Sequence, residues 1–226
     1  MKKVVVLMLT IVTILTASKT TYATTTFSLD KSLGGDGATY RSGGFDGNSR
    51  DVDAISFTYL KKIKFDIEYL SGKYIIDESS LDLKCSNIQI GYRLLNYPKE
   101  LLYITLGEIK YSESTEATSL STHEADGGMI GINFVGILSN KFQIELNLQK
   151  SLDVSSEYKY YDLLNFNYVT INSAAELIIK EIKLRYLLTD NLGLTISYYS
   201  MHLDIEDTSS GDIALKFCSM GLVYRF

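Results

Sequence analysis

The chain has 226 residues, with 22 basic and 27 acidic side chains and a formal net charge of −5. No basic run interleaves with aromatics, so nucleic acid is excluded as a partner by charge and pattern. No stretch beyond residue 23 approaches the ~18–20 consecutive apolar residues of a membrane-spanning helix.

The N-terminus reads Met1-Lys2-Lys3, then an apolar run from Val4 to Leu15, then Thr21-Tyr22-Ala23. A basic start, a short greasy stretch and small residues at −3 and −1 predict a cleaved export signal over residues 1–23. The run is too short to serve as a spanning anchor. The leader removes three of the 22 basic residues and no acid, leaving 19 against 27, net −8, in residues 24–226. That length fits one domain.

From there the dominant period is two. Thr24 to Leu33 alternates Phe27 and Leu29 with Ser28 and Asp30, and a Gly-rich loop over Gly34 to Arg50 follows. Asp51 to Leu60 is strand-like. Ile63, Phe65, Ile67 and Tyr69 share one face against Lys64, Asp66 and Glu68. Ser86 to Leu94 sets Ile88, Ile90, Tyr92 and Leu94 against Asn87, Gln89, Gly91 and Arg93. Leu101 to Tyr111 and Gly127 to Leu138 are less regular. Phe142 to Gln149 is the clearest, with Phe142, Ile144, Leu146 and Leu148 opposite Gln143, Glu145, Asn147 and Gln149. Ile178 to Leu188 carries Glu181, Lys183 and Arg185 on its polar face. Leu192 to His202 and a last segment through Met220, Leu222, Tyr224 and Phe226 complete the set. Successive strand residues point to opposite faces, so each segment has one apolar and one polar face.

Short connections (Lys61-Lys62, Asn96 to Glu100, Ser139-Asn140, Thr189 to Asn191) alternate with long polar ones (Gly72 to Asp82, Ser112 to Asp126, Lys150 to Ser173, Asp204 to Asp212). This rhythm predicts an all-β fold: a closed antiparallel transmembrane β-barrel with tight periplasmic turns and longer outer loops. Counting back from the last strand gives ten strands. Eight is the alternative if the first hairpin lies outside the wall.

Alternation does not say which face sees lipid, and a soluble secreted ligand-binding barrel would use the same pattern inverted. Three features favour the membrane. Lys64, Asp66, Glu68, Arg93, Glu145, Glu181, Lys183 and Arg185 sum to four acids and four bases, a balance suited to a paired network in a lumen. Tyr69, Tyr92, Tyr186, Tyr198 and Tyr224 fall on the apolar face, as an interfacial girdle would. The terminal Phe226 carries no tail. Exposing Lys183 and Arg185 to lipid would cost roughly 4–8 kcal/mol if both were central, so the charges belong inside.

The segments LRYLLTDNLGLTISYY (184–199) and IGYRLLNYPKELLYITLG (90–107) resemble strand-turn-strand hairpins of small bacterial outer-membrane β-barrels of the OmpA-like, OmpX-like and opacity-porin kind. The end of the chain, with Leu222, Tyr224 and Phe226 on one face, resembles the C-terminal signal read by the barrel-assembly machinery. The resemblance implies the outer membrane, its lipid as surroundings, and roles as anchor, adhesin or small channel. The chain departs from it in its ten strands and its lack of Trp.

The expected role is structural or surface interaction, with an extracellular partner reached through the loops at Ser112 to Asp126 and Lys150 to Ser173. The second of these could instead be an outward extension of its strands. The lumen could be a packed plug or a small passive pore; balanced charge and long side chains favour the plug. No enzyme, cofactor or metal is expected. Ser200 and His202 share a face near the outer rim, but residues two apart on a strand lie roughly 7 Å apart, a loose fit for a rim hydrolase. His123 is expected to be solvated in an acidic loop. The run Asp46 to Asp53 echoes a calcium loop, but Arg50 interrupts it and the closing Glu is missing, so a polar surface loop is expected. Cys85 should face inward and Cys218 outward, so two free thiols are expected rather than a disulfide.

Overall fold

A computed structural model describes residues 24–33, 38–42, 45–76, 79–97, 99–115, 121–162, 165–205 and 213–226; the export signal lies outside them. The strands are β1 (Thr24–Ser32), β2 (Ala38–Ser42), β3 (Phe45–Leu60), β4 (Ile63–Ile76), β5 (Ser79–Asn96), β6 (Glu100–Thr115), β7 (Ser121–Ile137), β8 (Phe142–Asp162), β9 (Asn167–Leu187), β10 (Leu192–Ile205) and β11 (Ile213–Arg225). Each pairs antiparallel with its neighbours, and β1 pairs with both β3 and β11, closing the wall. β2 also pairs with β11 and β3, above β1. β1 and β2 thus share one wall position, and the barrel has ten positions.

Following partners once around the wall shows its tilt. The walk leaves Thr24 at the foot and passes through Leu60, Lys64, Gly91, Thr105, Gly131, Gln149, Ile179, Met201 and Leu215. It arrives at Tyr40, in the upper half of the same wall position. Closure forces this stagger. At the closing seam, a Cβ on Gly221 would lie 1.9 Å from the Leu29 carbonyl oxygen, so only glycine lets the first and last strands approach.

The foot is built from short turns that satisfy their own backbone. Ser139 Oγ accepts from the Lys141 and Phe142 amides at 3.2 and 3.0 Å, and Thr189 Oγ1 from those of Asn191 and Leu192 at 3.3 and 3.0 Å. Asn191 Nδ2 donates to the Arg225 carbonyl at 2.8 Å, fastening the last strand.

Where they are described, the expected long loops are largely strand; most of Asp204 to Asp212 lies outside the described residues. β8 and β9 run 21 residues each, and most of the stretch from Lys150 to Ser173 is their paired extension. β5, β6 and β7 likewise continue through residues expected in loops. The run Asp46 to Asp53, expected as a polar surface loop, is instead strand: it lies within β3, paired with β2 and β4.

The polarity of the wall inverts with height. Near the foot, Ile63, Ile90, Leu106, Ile132, Leu148, Ile182, Ile196 and Leu222 face outward and are exposed. The belt on one strand, such as Ile63 to Tyr69, covers about 20 Å at ~3.4 Å per residue, matching a hydrocarbon band of ~25 Å once side chains are added. Tyr69 and Tyr198 mark its upper edge; Tyr92, Tyr186 and Tyr224 lie near its lower edge, all exposed. Above the belt, outward positions are charged: Lys73, Lys84, Lys110, Glu124, Asp126, Lys150, Glu176 and Lys180 are exposed. There the inward positions are apolar, forming a core that includes Leu83, Ile109, Met129, Leu177, Met201, Leu203, Leu215 and Phe217. Cys85 belongs to this core; Cys218 is half-buried, and both are free thiols. The lower half is dressed for lipid and the upper half for water.

Candidate functional site in the lumen

Seven of the eight predicted lumen charges meet. Lys64, Asp66, Glu68, Glu145, Glu181, Lys183 and Arg185 point inward from β4, β8 and β9, and none is more than 4% exposed. Glu145 is the hub. Its Oε1 accepts from Lys64 Nζ at 2.8 Å and from Asn133 Nδ2 at 2.8 Å, and its Oε2 from Arg185 Nη1 at 2.8 Å. Lys183 Nζ is 2.7 Å from Glu181 and 3.0 Å from Glu68. Lys64 Nζ is also 3.5 Å from Asp66, whose Oδ1 accepts from Thr58 Oγ1 at 2.7 Å. Since β5, β6 and β7 separate β4 from β8 in the wall, the bonds from β4 to β8 and β9 cross the lumen.

Two features differ from the expected balance. Arg93 is half-buried and hydrogen-bonded to the Tyr103 side chain, so it stays at the foot. Asp30 of β1 faces the lumen instead, buried, with its Oδ2 accepting from Ser28 Oγ at 3.1 Å. Among the described residues the charged layer therefore holds five buried carboxyls, Asp30, Asp66, Glu68, Glu145 and Glu181, against Lys64, Lys183 and Arg185. The lumen leans acidic. The alternation of Phe27 and Leu29 with Ser28 and Asp30 already placed Asp30 on the polar face.

Space for these long side chains comes from small inward residues. A Cβ on Gly91 would lie 3.0 Å from Thr105 and 3.2 Å from the Lys64 Cβ. Below the charged layer, Leu60, Tyr103 and Val135 pack together at the foot. Above it lies the apolar core of the outer half. The charges are thus held between two apolar layers.

A second polar constellation lies inside the outer half. His123 was expected in a solvated loop; it is an inward residue of β7, 3% exposed. Its Nε2 is 2.6 Å from Ser156 Oγ on β8, and its Nδ1 is 3.5 Å from Glu113 Oε1 on β6. Glu113 also accepts a hydrogen bond from the Tyr111 hydroxyl. The rings of Tyr111 and Tyr158 stand edge-on to the imidazole at 5.9 and 6.3 Å.

Ser156 faces inward because of a one-residue bulge. Met129 pairs with Ser151 but Gly128 pairs with Asp153, so Leu152 is extra. Below the bulge odd-numbered residues of β8 face in; above it Val154 and Ser156 do. A bulge of this kind reverses the facing of everything beyond it. Ser200 and His202 instead lie on the outward face, half-buried and exposed respectively.

The last strand behaves as its alternation implies: Leu222, Tyr224 and Phe226 are outward and exposed. Arg225 turns to the neighbouring foot, where its Nε and Nη2 donate to the Asp190 carbonyl at 3.1 and 2.8 Å.

No family model matches the sequence, and no curated protein does. Solved structures do resemble the fold. The outer-membrane protease OmpT from Escherichia coli aligns with a TM-score of 0.59 at 12% identity, over 92% of this chain and 99% of that one. The translocator domain of the autotransporter NalP from Neisseria meningitidis aligns with a TM-score of 0.51 at 10% identity, over 92% of this chain and 90% of that one. Identity this low speaks for the fold alone. An apolar belt of membrane height around a charged, ion-paired lumen marks this chain as a transmembrane β-barrel, with the fold that those outer-membrane structures share.

Proposed function

We propose that the protein is a closed barrel that anchors a surface-interaction element, the β8–β9 hairpin, outside the membrane. The observation that carries this reading is the hairpin's tip. Phe166 is 78% exposed and has a φ of 53°. The left-handed region costs a non-glycine residue roughly 1–2 kcal/mol, more readily tolerated where an exposed aromatic has a use. Asp162 holds the turn by accepting from Asn165 Nδ2 at 2.6 Å. Tyr168 and Ile171 are also exposed, on opposite faces of β9, and Tyr161 stands edge-on to Tyr168 at 5.1 Å. From Leu148 at the belt to Asp162 is roughly 45 Å of strand, or ~35 Å along the axis at a tilt of ~40°. The tip stands well clear of the lipid.

Closure is supported by ion pairs that cross the lumen and by the apolar core above them, neither of which suits passage of hydrated solutes. In planar bilayers the purified barrel should give no single-channel steps; steady steps would favour the passive pore. Retention of expressing bacteria on a protein-coated surface should fall when Phe166→Gly and Tyr168→Ser are combined. Undiminished retention would remove the hairpin from the role.

A further inference from the structure

We propose that Ser156 is an activated nucleophile, relayed through His123 to Glu113, and that the outer half of the lumen is an acyl-transfer site for a small water-soluble ester. The three side chains come from adjacent strands at one level of the inner wall. Glu113 of β6 is the direct cross-strand partner of His123 on β7. His123 in turn is partnered by Tyr158 on β8, which places Ser156 diagonally beside it.

The order of contacts is that of a nucleophile, a base and an orienting acid. A hydroxyl is a weak nucleophile until a neighbouring base takes its proton, and the base needs a third group to fix its ring. Nε2 is 2.6 Å from the Ser156 oxygen, within hydrogen-bond reach. Glu113 lies 3.5 Å from the opposite ring nitrogen, a loose contact that substrate binding can tighten. Tyr111 holds the other carboxylate oxygen, and with Tyr158 it brackets the imidazole.

The reaction follows from those positions. Ser156 Oγ attacks the acyl carbonyl carbon while its proton passes to His123 Nε2. The tetrahedral intermediate collapses, the bond from that carbon to the leaving oxygen breaks, and the alcohol departs with the proton from Nε2. Water, deprotonated by the same nitrogen, then attacks the acyl-serine. The Oγ–carbon bond breaks, Oγ regains the proton and the carboxylic acid leaves.

Location selects the substrate. Ser156 is eight residues beyond Leu148 along β8, roughly 26 Å of strand and ~20 Å above the belt at the barrel's tilt. A lipid ester held in the bilayer cannot reach it. Ala125 and Val154, next to the relay on the inner wall, are buried and apolar, and Ser156 itself is 3% exposed, so the ester must be small.

The test is labelling of the folded, full-length barrel by diisopropyl fluorophosphate, followed by mass spectrometry. One adduct per chain is expected, on Ser156, and none in S156A. His123→Gln should slow labelling at least 100-fold and Glu113→Gln about tenfold, with folding checked by heat-modifiable gel mobility. A folded wild type that takes no label overturns the proposal, as does a folded H123Q that labels at the wild-type rate. If H123Q fails to fold, E113Q decides: an unchanged rate overturns the proposal and a tenfold fall supports it.

Discussion

The two halves of this barrel are built from one backbone pattern and opposite solvents. In the membrane half the outside is apolar and the lumen ionic, with Ile90 58% exposed and Lys64 fully buried. In the projecting half Lys84 is exposed while Met201, Leu203 and Leu215 are fully buried within. A strand's faces are assigned by whatever lies outside it, and here that changes from hydrocarbon to water partway up. The lower half holds itself with a few directional ion pairs. The upper half uses the area-proportional hydrophobic effect that stabilises soluble proteins.

The halves should therefore fail in different ways. The largest effect is expected at the ionic hub. Glu145→Ala removes the ion-pair partner of buried Arg185 and leaves Lys64 only its 3.5 Å contact with Asp66, costing ~3–5 kcal/mol, read as a lower urea midpoint for loss of heat-modifiable mobility. Leu203→Ala in the outer core removes packing instead and should cost ~2–4 kcal/mol by the same measurement. A loss near zero would mean the outer core is not packed as described.

Surface substitutions sharpen the contrast. Ile90→Lys places a charge on lipid near the middle of the belt and should cost ~2–4 kcal/mol. Lys84→Leu, only six residues away but above the belt, should stay within ~0.5 kcal/mol, as for most surface changes. Equal costs at the two positions would abolish the boundary between the halves.

The smallest effect is a pH response in the projecting half. Tyr74 lies above the belt, fully buried, and burial holds its phenol well above the usual tyrosine range. The folded state resists ionising it, so its contribution is complete below the unfolded value near ~10 and is lost as pH rises beyond that. Tyr74→Phe removes the ionisable group and should make unfolding less sensitive to pH above ~10, a shift readable in alkaline urea midpoints. An unchanged pH dependence would mean Tyr74 ionises as readily folded as unfolded.

Much of the membrane half was readable in one dimension. Phe142, Ile144, Leu146 and Leu148 announced a lipid-facing strip because alternation over a short span has one structural meaning. Lys64, Glu145 and Lys183 on the opposite faces had to go inward because hydrocarbon will not take them. Asp30 was legible by the same argument, from its place beside Phe27 and Leu29. The pairing was not: Lys64 and Glu145 are 81 residues apart, Glu68 and Lys183 115. No local pattern says that they meet across a lumen.

The projecting half was hidden for a physical reason. Its strands also alternate, but with charge outward, so an apolar-out template reads them as polar loops. The single extra residue at Leu152 then reverses β8, turning Ser156 toward His123. The amino-acid sequence by itself determined the strand period, the lipid belt and the inward placement of charge, because each follows from transferring side chains between water and hydrocarbon. Only the tertiary structure decided where the bilayer ends along the wall, which charges pair and which hydroxyl meets the imidazole. Those depend on stagger, closure and one bulge, which act between strands rather than along them.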